Sequence, residues 1–440
     1  MMGIATLKPS ALGVREFMRH DTSAIRRRAL VVGGSFGGLF AANLLARAGW
    51  EVEVYERVGA ALAGRGAGIV THDELFRAME RSGITIDQSI GVEAIARLTL
   101  DRAGNVIGAE FPLRQILTAW GRMYRLLKDA FAAGHYHFDK SLERVEQDGD
   151  GVTACFADGT RATGDLLIGA DGIRSTVRAQ YLPEARPVYA GYVAWRGLID
   201  EGVLSEYTQH SLFGRMGFCL PPGEQMLGYL VAGPRNTTAP GERRYNFVWY
   251  RAADATRVLP ALLTDATGCL HDMNIPPDRI RADVIAEMRA AAERLLAPQF
   301  AEVVRATAET FFQPIYDLQS PRLVFERVVI LGDAAFVARP HCGIGMAKPG
   351  GDAVALVDEL LRYGDDLPAA LRAFEAQRVD FGRTVVAHAR RLGAGIGDTG
   401  ATGERNEGAA QMRRPEVVMR EVGIWPIPVI APGPVTRPSR

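Results

Sequence analysis

Lysine is nearly missing from this chain. Of 51 basic residues only Lys8, Lys128, Lys140 and Lys348 are lysines, and 51 acidic residues bring the formal net charge to zero. A chain so balanced carries no electrostatic footprint for nucleic acid or an anionic membrane, and neither is expected as a partner. Cysteine is scarce too. Cys155, Cys219, Cys269 and Cys342 are scattered, without a C-x-x-C pair or metal-ligand spacing. That argues against a disulfide framework and a metal site, and reads as free thiols in a reducing compartment. No uninterrupted apolar run is long enough to span a bilayer. The expectation is a cytoplasmic protein. What remains is ordinary: 440 residues, 48% hydrophobic and 23% charged, enough for a large core and two domains.

One stretch organises the rest. Ala29–Val32 is a short apolar run, and Gly33-Gly34-Ser35-Phe36-Gly37-Gly38 is a glycine turn. An Ala- and Leu-rich helix follows to Ala48, then an alternating strand, Glu51–Tyr55, ending in Glu56-Arg57. This is a βαβ unit with its turn where a phosphate-binding turn must sit. Gly33 allows the sharp exit from the strand, and Gly38 lets the helix pack closely on it. The helix N-terminus offers free N–H groups and a positive dipole end to an anion such as a pyrophosphate. Glu56, about 20 residues beyond the turn, is placed to accept from a ribose hydroxyl. Ser35 stands where the middle glycine of G-x-G-x-x-G would be. It either crowds the phosphates or donates its hydroxyl to them.

Met1–Arg28 precedes the first strand and reads as an extension. Gly64-Arg65-Gly66-Ala67-Gly68 is either a plain loop or a backbone passing close to something flat or charged. Asp101-Arg102-Ala103-Gly104-Asn105 is a hairpin turn, the sign of an excursion into a second sheet. Gln115–Ala132 reads as an amphipathic helix carrying Trp120, Tyr124 and Leu127. Tyr136–Phe138, Leu142–Gln147, Val152–Phe156 and Arg161–Gly164 read as a small antiparallel meander. Between Tyr189 and Leu318 the pattern becomes strand-like and aromatic, as in a sheet that walls a pocket.

Two further turns follow buried strands. Asp165–Gly169 runs into Ala170-Asp171-Gly172 and a short basic helix with Arg174 and Ser175. Val328–Leu331 runs into Gly332-Asp333-Ala334-Ala335, then Pro340-His341-Cys342-Gly343-Ile344-Gly345, then a helix whose N-terminus is again open to an electron-rich group.

The three separated motifs together resemble the single-component FAD-dependent aromatic hydroxylases of the para-hydroxybenzoate hydroxylase fold. The resemblance spans most of the chain. Within that family, Gly33-Gly34-Ser35, Thr118-Ala119-Trp120 with Tyr124, Trp249-Tyr250-Arg251 and Gly332–His341 resemble the 2,6-dihydroxypyridine and related pyridine hydroxylases. The implied fold class is α/β, a Rossmann-like FAD-binding domain interleaved with a β-sheet substrate domain. Residues 29–92, 113–185 and 320–393 would form the first and 93–112 with 186–319 the second. Residues 1–28 would be an extension and 394–440 a tail.

The resemblance also implies the cofactors. FAD would contact Gly33, Ser35, Gly37, Gly38, Glu56, Arg57 and Gly68, with Arg122 and the strand at Val145 beside it. Asp333 would face the ribityl chain, and Pro340, Gly343 and Gly345 the flavin ring, with Gly332 at the turn before them. Asp171 and Gly172 would lie in the cleft shared with NADH or NADPH. The implied reaction is hydroxylation of an electron-rich hydroxypyridine-type ring by NAD(P)H and O₂ through a flavin hydroperoxide. A phenolic-ring hydroxylase and a flavin oxidoreductase that inserts no oxygen are the alternatives. A base near neutral pKa would help deprotonate a ring hydroxyl, and His210, His341 and Tyr250 are the catalytic candidates. The partners expected are the small aromatic substrate and O₂. The oligomeric state stays open, with a homodimer as the arrangement entertained.

Overall fold

The first strand is buried on both faces. Ala29, Leu30 and Val31 have no exposed surface, and neither do Leu166, Leu167 and Ile168 or Val328, Val329 and Ile330. Runs of this kind belong in the middle of a parallel sheet covered by helices. In the computed structural model, which describes residues 27–60, 68–396 and 407–425, they do pair there. Arg28–Val32 lies between Leu166–Gly169 and Glu51–Tyr55, all parallel. Val328–Ile330 extends the sheet on one side and Tyr136–His137 on the other. Helices Phe36–Arg47, Asp73–Arg81 and Ala347–Tyr363 pack together on this body. The extension up to residue 26, the loop 61–67 with Gly64 and Gly66, and residues 397–406 and 426–440 lie outside the described residues.

A second sheet has nine strands. In spatial order these are Phe336–Val337, Thr310–Gln319, Val188–Asp200, Arg244–Ala252, Gln225–Val231, Arg215–Cys219, Val92–Leu100, Phe111–Ala119 and Gly68–Val70. One face packs under helices Ala282–Leu295 and Pro298–Ala306 through Trp195, Phe247, Trp249 and Phe300. The other face carries Tyr192, Ala194, Tyr229, Val248 and Tyr250. Successive residues alternate sides, so each strand serves both.

Three expectations need correction. The stretch at Gln115 is strand, not helix: Phe111–Ala119 pairs with Val92–Leu100 and Gly68–Val70, and the helix is Trp120–Ala130. Ile116, Leu117 and Thr118 gain more from these distant partners than from local turns. The boundaries drawn at 92/93 and 112/113 therefore fall inside two strands of one sheet. Tyr136–His137 joins the parallel sheet, leaving a three-stranded meander of Leu142–Gln147, Val152–Phe156 and Arg161–Gly164. Among the described residues no helix is long and apolar enough to cross a membrane.

Candidate active site

The first glycine turn is locked from three sides. Gly33 has φ +102°, a conformation that disfavours a side chain. Gly34 donates its N–H to Glu56 Oε2 at 2.8 Å, and Val58 donates to Oε1 at 3.0 Å. The Tyr136 hydroxyl donates to the Gly34 carbonyl at 3.0 Å. A Cβ at Gly38 would overlap the Gly33 carbonyl, which is why the helix needs glycine there. A Cβ at Gly37 would press on Leu331, so the third motif closes on the first at this point. Ser35 is the N-cap of Phe36–Arg47, but its side chain caps nothing and the first turn holds no acid. The free N–H groups and positive helix end are left for an anion. Glu56 is buried and keeps spare lone pairs, while Arg57 is exposed.

The second motif is a capped turn. Asp171 Oδ2 accepts from the N–H groups of Thr176 at 2.7 Å and Val177 at 3.2 Å, and so caps Thr176–Tyr181. Its Oδ1 is buried without a partner, and burial raises the carboxyl pKa. Gly172 has φ +80° and open space beside it. Buried Arg178 donates to the carbonyls of Ile173 at 2.6 Å, Ala334 at 3.0 Å and Ala185 at 3.1 Å. It ties this turn to the third motif. Val145 is different. Gln180 accepts from its N–H at 2.9 Å and donates to its carbonyl at 2.7 Å, so both of its backbone groups already have a side-chain partner.

In the third motif the Gly332 N–H donates to Asp352 Oδ2 at 3.0 Å. Asp333 is exposed beside it. Pro340–Cys342 is a single 3₁₀ turn ending in Gly343 at φ +70°. Gly345 has open space beside it. The helix Ala347–Tyr363 then starts without a side-chain cap and without an acid in its first turn. Lys348 is buried there, its Nζ without a hydrogen bond, 3.9 Å from Asp333 Oδ1 and 3.8 Å from Asp352 Oδ2. Asp352 is held by Arg378 at 2.8 and 2.5 Å. Two uncapped helix ends, open space at Gly172 and Gly345, and the orphaned Asp171 Oδ1 and Lys348 Nζ fit FAD.

The sheet meets this loop at a cluster of rings. His341 Nε2 lies 2.8 Å from Tyr192 Oη, and the Tyr250 ring centre is 4.3 Å from the imidazole. Arg339 sits over the Tyr192 ring and pairs with Asp317 at 2.9 Å. From the C-terminal segment, the Gly423 N–H donates to the His341 carbonyl at 2.7 Å. Burial, and after it the Arg339 charge, pushes the His341 pKa down to about 3. Burial pushes Tyr250 up to about 12. His341 is thus a neutral imidazole and Tyr250 a protonated phenol, and neither is a base near neutrality.

His210 is not brought into this cluster. It is exposed on Glu206–Leu212, its Nδ1 2.7 Å from the Glu206 carbonyl of the same helix. That helix packs against Pro298–Ala306, on the sheet face away from Tyr250. Arg122 bonds Ser89 Oγ at 3.0 Å and leaves its Nε buried and unpartnered. Trp120 stacks on Tyr124 and lies 4.8 Å from the Phe36 ring, directly after Ser35. Gly68 donates to Asn246 Oδ1 at 2.8 Å, which fixes the described end of the glycine loop on the sheet. Sequence reasoning missed Tyr192, Asn246 and Lys348. Period-two alternation sorts each strand into two faces, but which face of Val188–Asp200 shares a side with which face of Arg244–Ala252 depends on the register between distant strands.

Comparison with known proteins agrees with the fold. Residues 26–212 match the FAD binding domain family model, and residues 189–317 a second model, FAD binding domain-like. The chain is 32% identical over 374 residues to 2,6-dihydroxypyridine 3-monooxygenase of Paenarthrobacter nicotinovorans, covering 83% of this chain and 90% of that one. This chain belongs to the FAD-dependent aromatic-ring monooxygenases of the para-hydroxybenzoate hydroxylase fold. The monooxygenase superposes on the structure of 2,6-dihydroxypyridine-3-hydroxylase from Arthrobacter nicotinovorans with TM-score 0.80 at 30% identity, covering 88% of this chain and 96% of that one. It is also 32% identical to an FAD-dependent urate hydroxylase of Klebsiella pneumoniae, over 83% of this chain and 89% of that one.

Proposed function

We propose that this monooxygenase hydroxylates an electron-rich, hydroxylated N-heteroaromatic ring of the hydroxypyridine type, with NADH or NADPH as electron donor and O₂ as oxygen source. The observation that carries the reading is the meeting of the aromatic sheet face with the Pro340–Gly345 loop at Tyr192, His341 and Tyr250. Similarity to enzymes named for oxygenated nitrogen rings supports the substrate class.

FAD, when bound, supplies the redox chemistry that NAD(P)H and O₂ require. Gly33–Gly38 and Glu56 would hold its nucleotide end, and Gly332, Asp333 and Gly343–Gly345 the rest. The uncapped end of Ala347–Tyr363 favours negative charge at that place. The buried rings exclude water and offer flat apolar faces to an aromatic substrate. His341 and Tyr192 share one hydrogen, so the pair can relay a proton without storing one. Tyr250 donates from its phenol. This reading keeps His341 and Tyr250 as catalytic residues and drops the idea of a stored-proton base.

Such a reaction belongs in the cytoplasm, where NAD(P)H is supplied and the free thiols stay reduced. A homodimer is the assembly to test by sedimentation. The decisive test is a screen of hydroxypyridines and phenols for stimulated NADH and NADPH oxidation, followed by mass analysis of the product made under labelled O₂. One label atom per product ring is expected. Product without label leaves an oxidoreductase that does not insert oxygen.

A further inference from the structure

We propose that Arg196, together with Asn246, holds the substrate through a negatively charged ring oxygen. The proposal rests on the reading above, because it names how that site selects its ring. Val188–Asp200 and Arg244–Ala252 run antiparallel, with Arg196 opposite Val248 and Leu198 opposite Asn246. Asn246 in turn stands opposite Tyr229 on the next strand. Residues opposite each other share a face, so Arg196, Asn246, Tyr229 and Tyr250 point to the same side. It is the side of Tyr192, which contacts His341. Arg196 is a diagonal neighbour of both Asn246 and Tyr250, within reach of one bound ring.

Arg196 stands there without an acid. Among the described residues it has no hydrogen bond and no ion pair, and its Nε is buried. Asn246 has no exposed surface, and while its Oδ1 accepts from Gly68, its Nδ2 has no partner. The acids on this side are engaged elsewhere or remote. Asp317 is bound by Arg339 and Arg390, and Asp200 is exposed at the end of its strand near Arg244. Two buried donors therefore lack acceptors on the wall of the site. Buried donors left unmade are costly, so these two match an acceptor that arrives with the ligand. A guanidinium paired with an amide N–H fits an oxyanion. A ring hydroxyl held as its anion is also the electron-rich form that accepts an electrophilic oxygen.

The FAD-loaded wild type and the variants Arg196→Met, Arg196→Gln and Arg196→Lys would be titrated, without NAD(P)H, with 2,6-dihydroxypyridine and with 2,6-dimethoxypyridine. Binding is read from the change in flavin absorbance. Wild type should favour the dihydroxy ring, and Arg196→Met should raise its Kd about tenfold or more while leaving the dimethoxy Kd unchanged. Arg196→Lys should recover part of the loss. Flavin content and Tm confirm that each variant is loaded and folded. A loaded Met or Gln variant that binds the dihydroxy ring like wild type overturns the inference. So does a wild type that binds both rings equally or neither. Arg196-dependent binding without oxygen insertion overturns the functional reading and leaves the inference standing. Insertion undiminished in Arg196→Met does the reverse.

Discussion

His341 Nε2 lies 2.8 Å from Tyr192 Oη in a place where neither ring reaches solvent. The contact joins the loop assigned to the flavin ring to the wall of the nine-stranded sheet. It also sets a pH signature. His341 titrates at about 3 in the fold and near 6.5 in an unfolded chain. Between those values the unfolded state binds the extra proton, so stability falls as pH drops through that window. From pH 7 to pH 5 the wild type should lose about 2 kcal/mol that His341→Gln does not lose. Urea melts of both proteins at the two pH values check this. Parallel losses would show that His341 is not buried neutral. His72, lowered to about 4 mainly by burial, contributes with the same sign in both proteins and cancels.

Ser35 offers a cleaner separation of folding from binding. Its side chain makes no cap bond, although it occupies the N-cap of Phe36–Arg47. Ser35→Ala should therefore cost well under the roughly 1 kcal/mol usual for losing a cap. If the hydroxyl donates to a phosphate instead, the same change should raise the FAD Kd about fivefold to tenfold. Flavin fluorescence titration of the apoprotein, beside its melting curve, distinguishes the two. A lower Tm with unchanged Kd would refute the phosphate role.

Arg378 supports the third motif from below. It holds Asp352, whose other oxygen fixes the Gly332 N–H. Arg378→Met would strand a buried carboxylate and should cost about 3–5 kcal/mol, read as a large drop in Tm and a loss of bound flavin. The double variant Arg378→Met with Asp352→Leu should recover only part of the stability, because the stranded carboxylate is gone while buried Lys348 and the Gly332 N–H lose Asp352. No recovery would mean that the pair acts through packing alone.

The parts of the site that were legible in the sequence are those dictated by local backbone geometry. Gly33, Gly38, Gly332 and Gly343 announce tight turns after buried strands, and the turns are there with positive φ at three of the four. The parts that stayed hidden depend on which distant strand a segment meets. Gln115–Ala119 has a helix-compatible pattern, yet pairing with Val92 and Gly68 makes it strand. His210 and His341 look alike as isolated letters. Only the fold puts one on a surface helix and the other against Tyr192. Arg196 sits in an aromatic strand whose alternation says nothing about which side faces the loop. Val145 reads as a strand residue beside FAD, and only the fold shows Gln180 bonded to both of its backbone groups.

Lys348, one of only four lysines, gives the sharpest opposition between apoprotein and holoprotein. Its Nζ is buried without a hydrogen bond, 3.9 Å from Asp333 and 3.8 Å from Asp352. Asp352 already has Arg378 and the Gly332 N–H, and Asp333 is exposed, so neither acid depends on the lysine. Replacing a poorly paired buried cation by an apolar chain of similar length is often neutral or stabilising. Lys348→Met apoprotein should therefore melt within about 1 kcal/mol of wild type or higher. The positive charge beside the uncapped helix end is lost at the same time, so the FAD Kd should rise about tenfold. Apoprotein melting and a flavin titration measure the two effects separately. A Met variant that is several kcal/mol less stable yet binds FAD normally would make Lys348 a structural cation, placed there for Asp352 and not for the flavin.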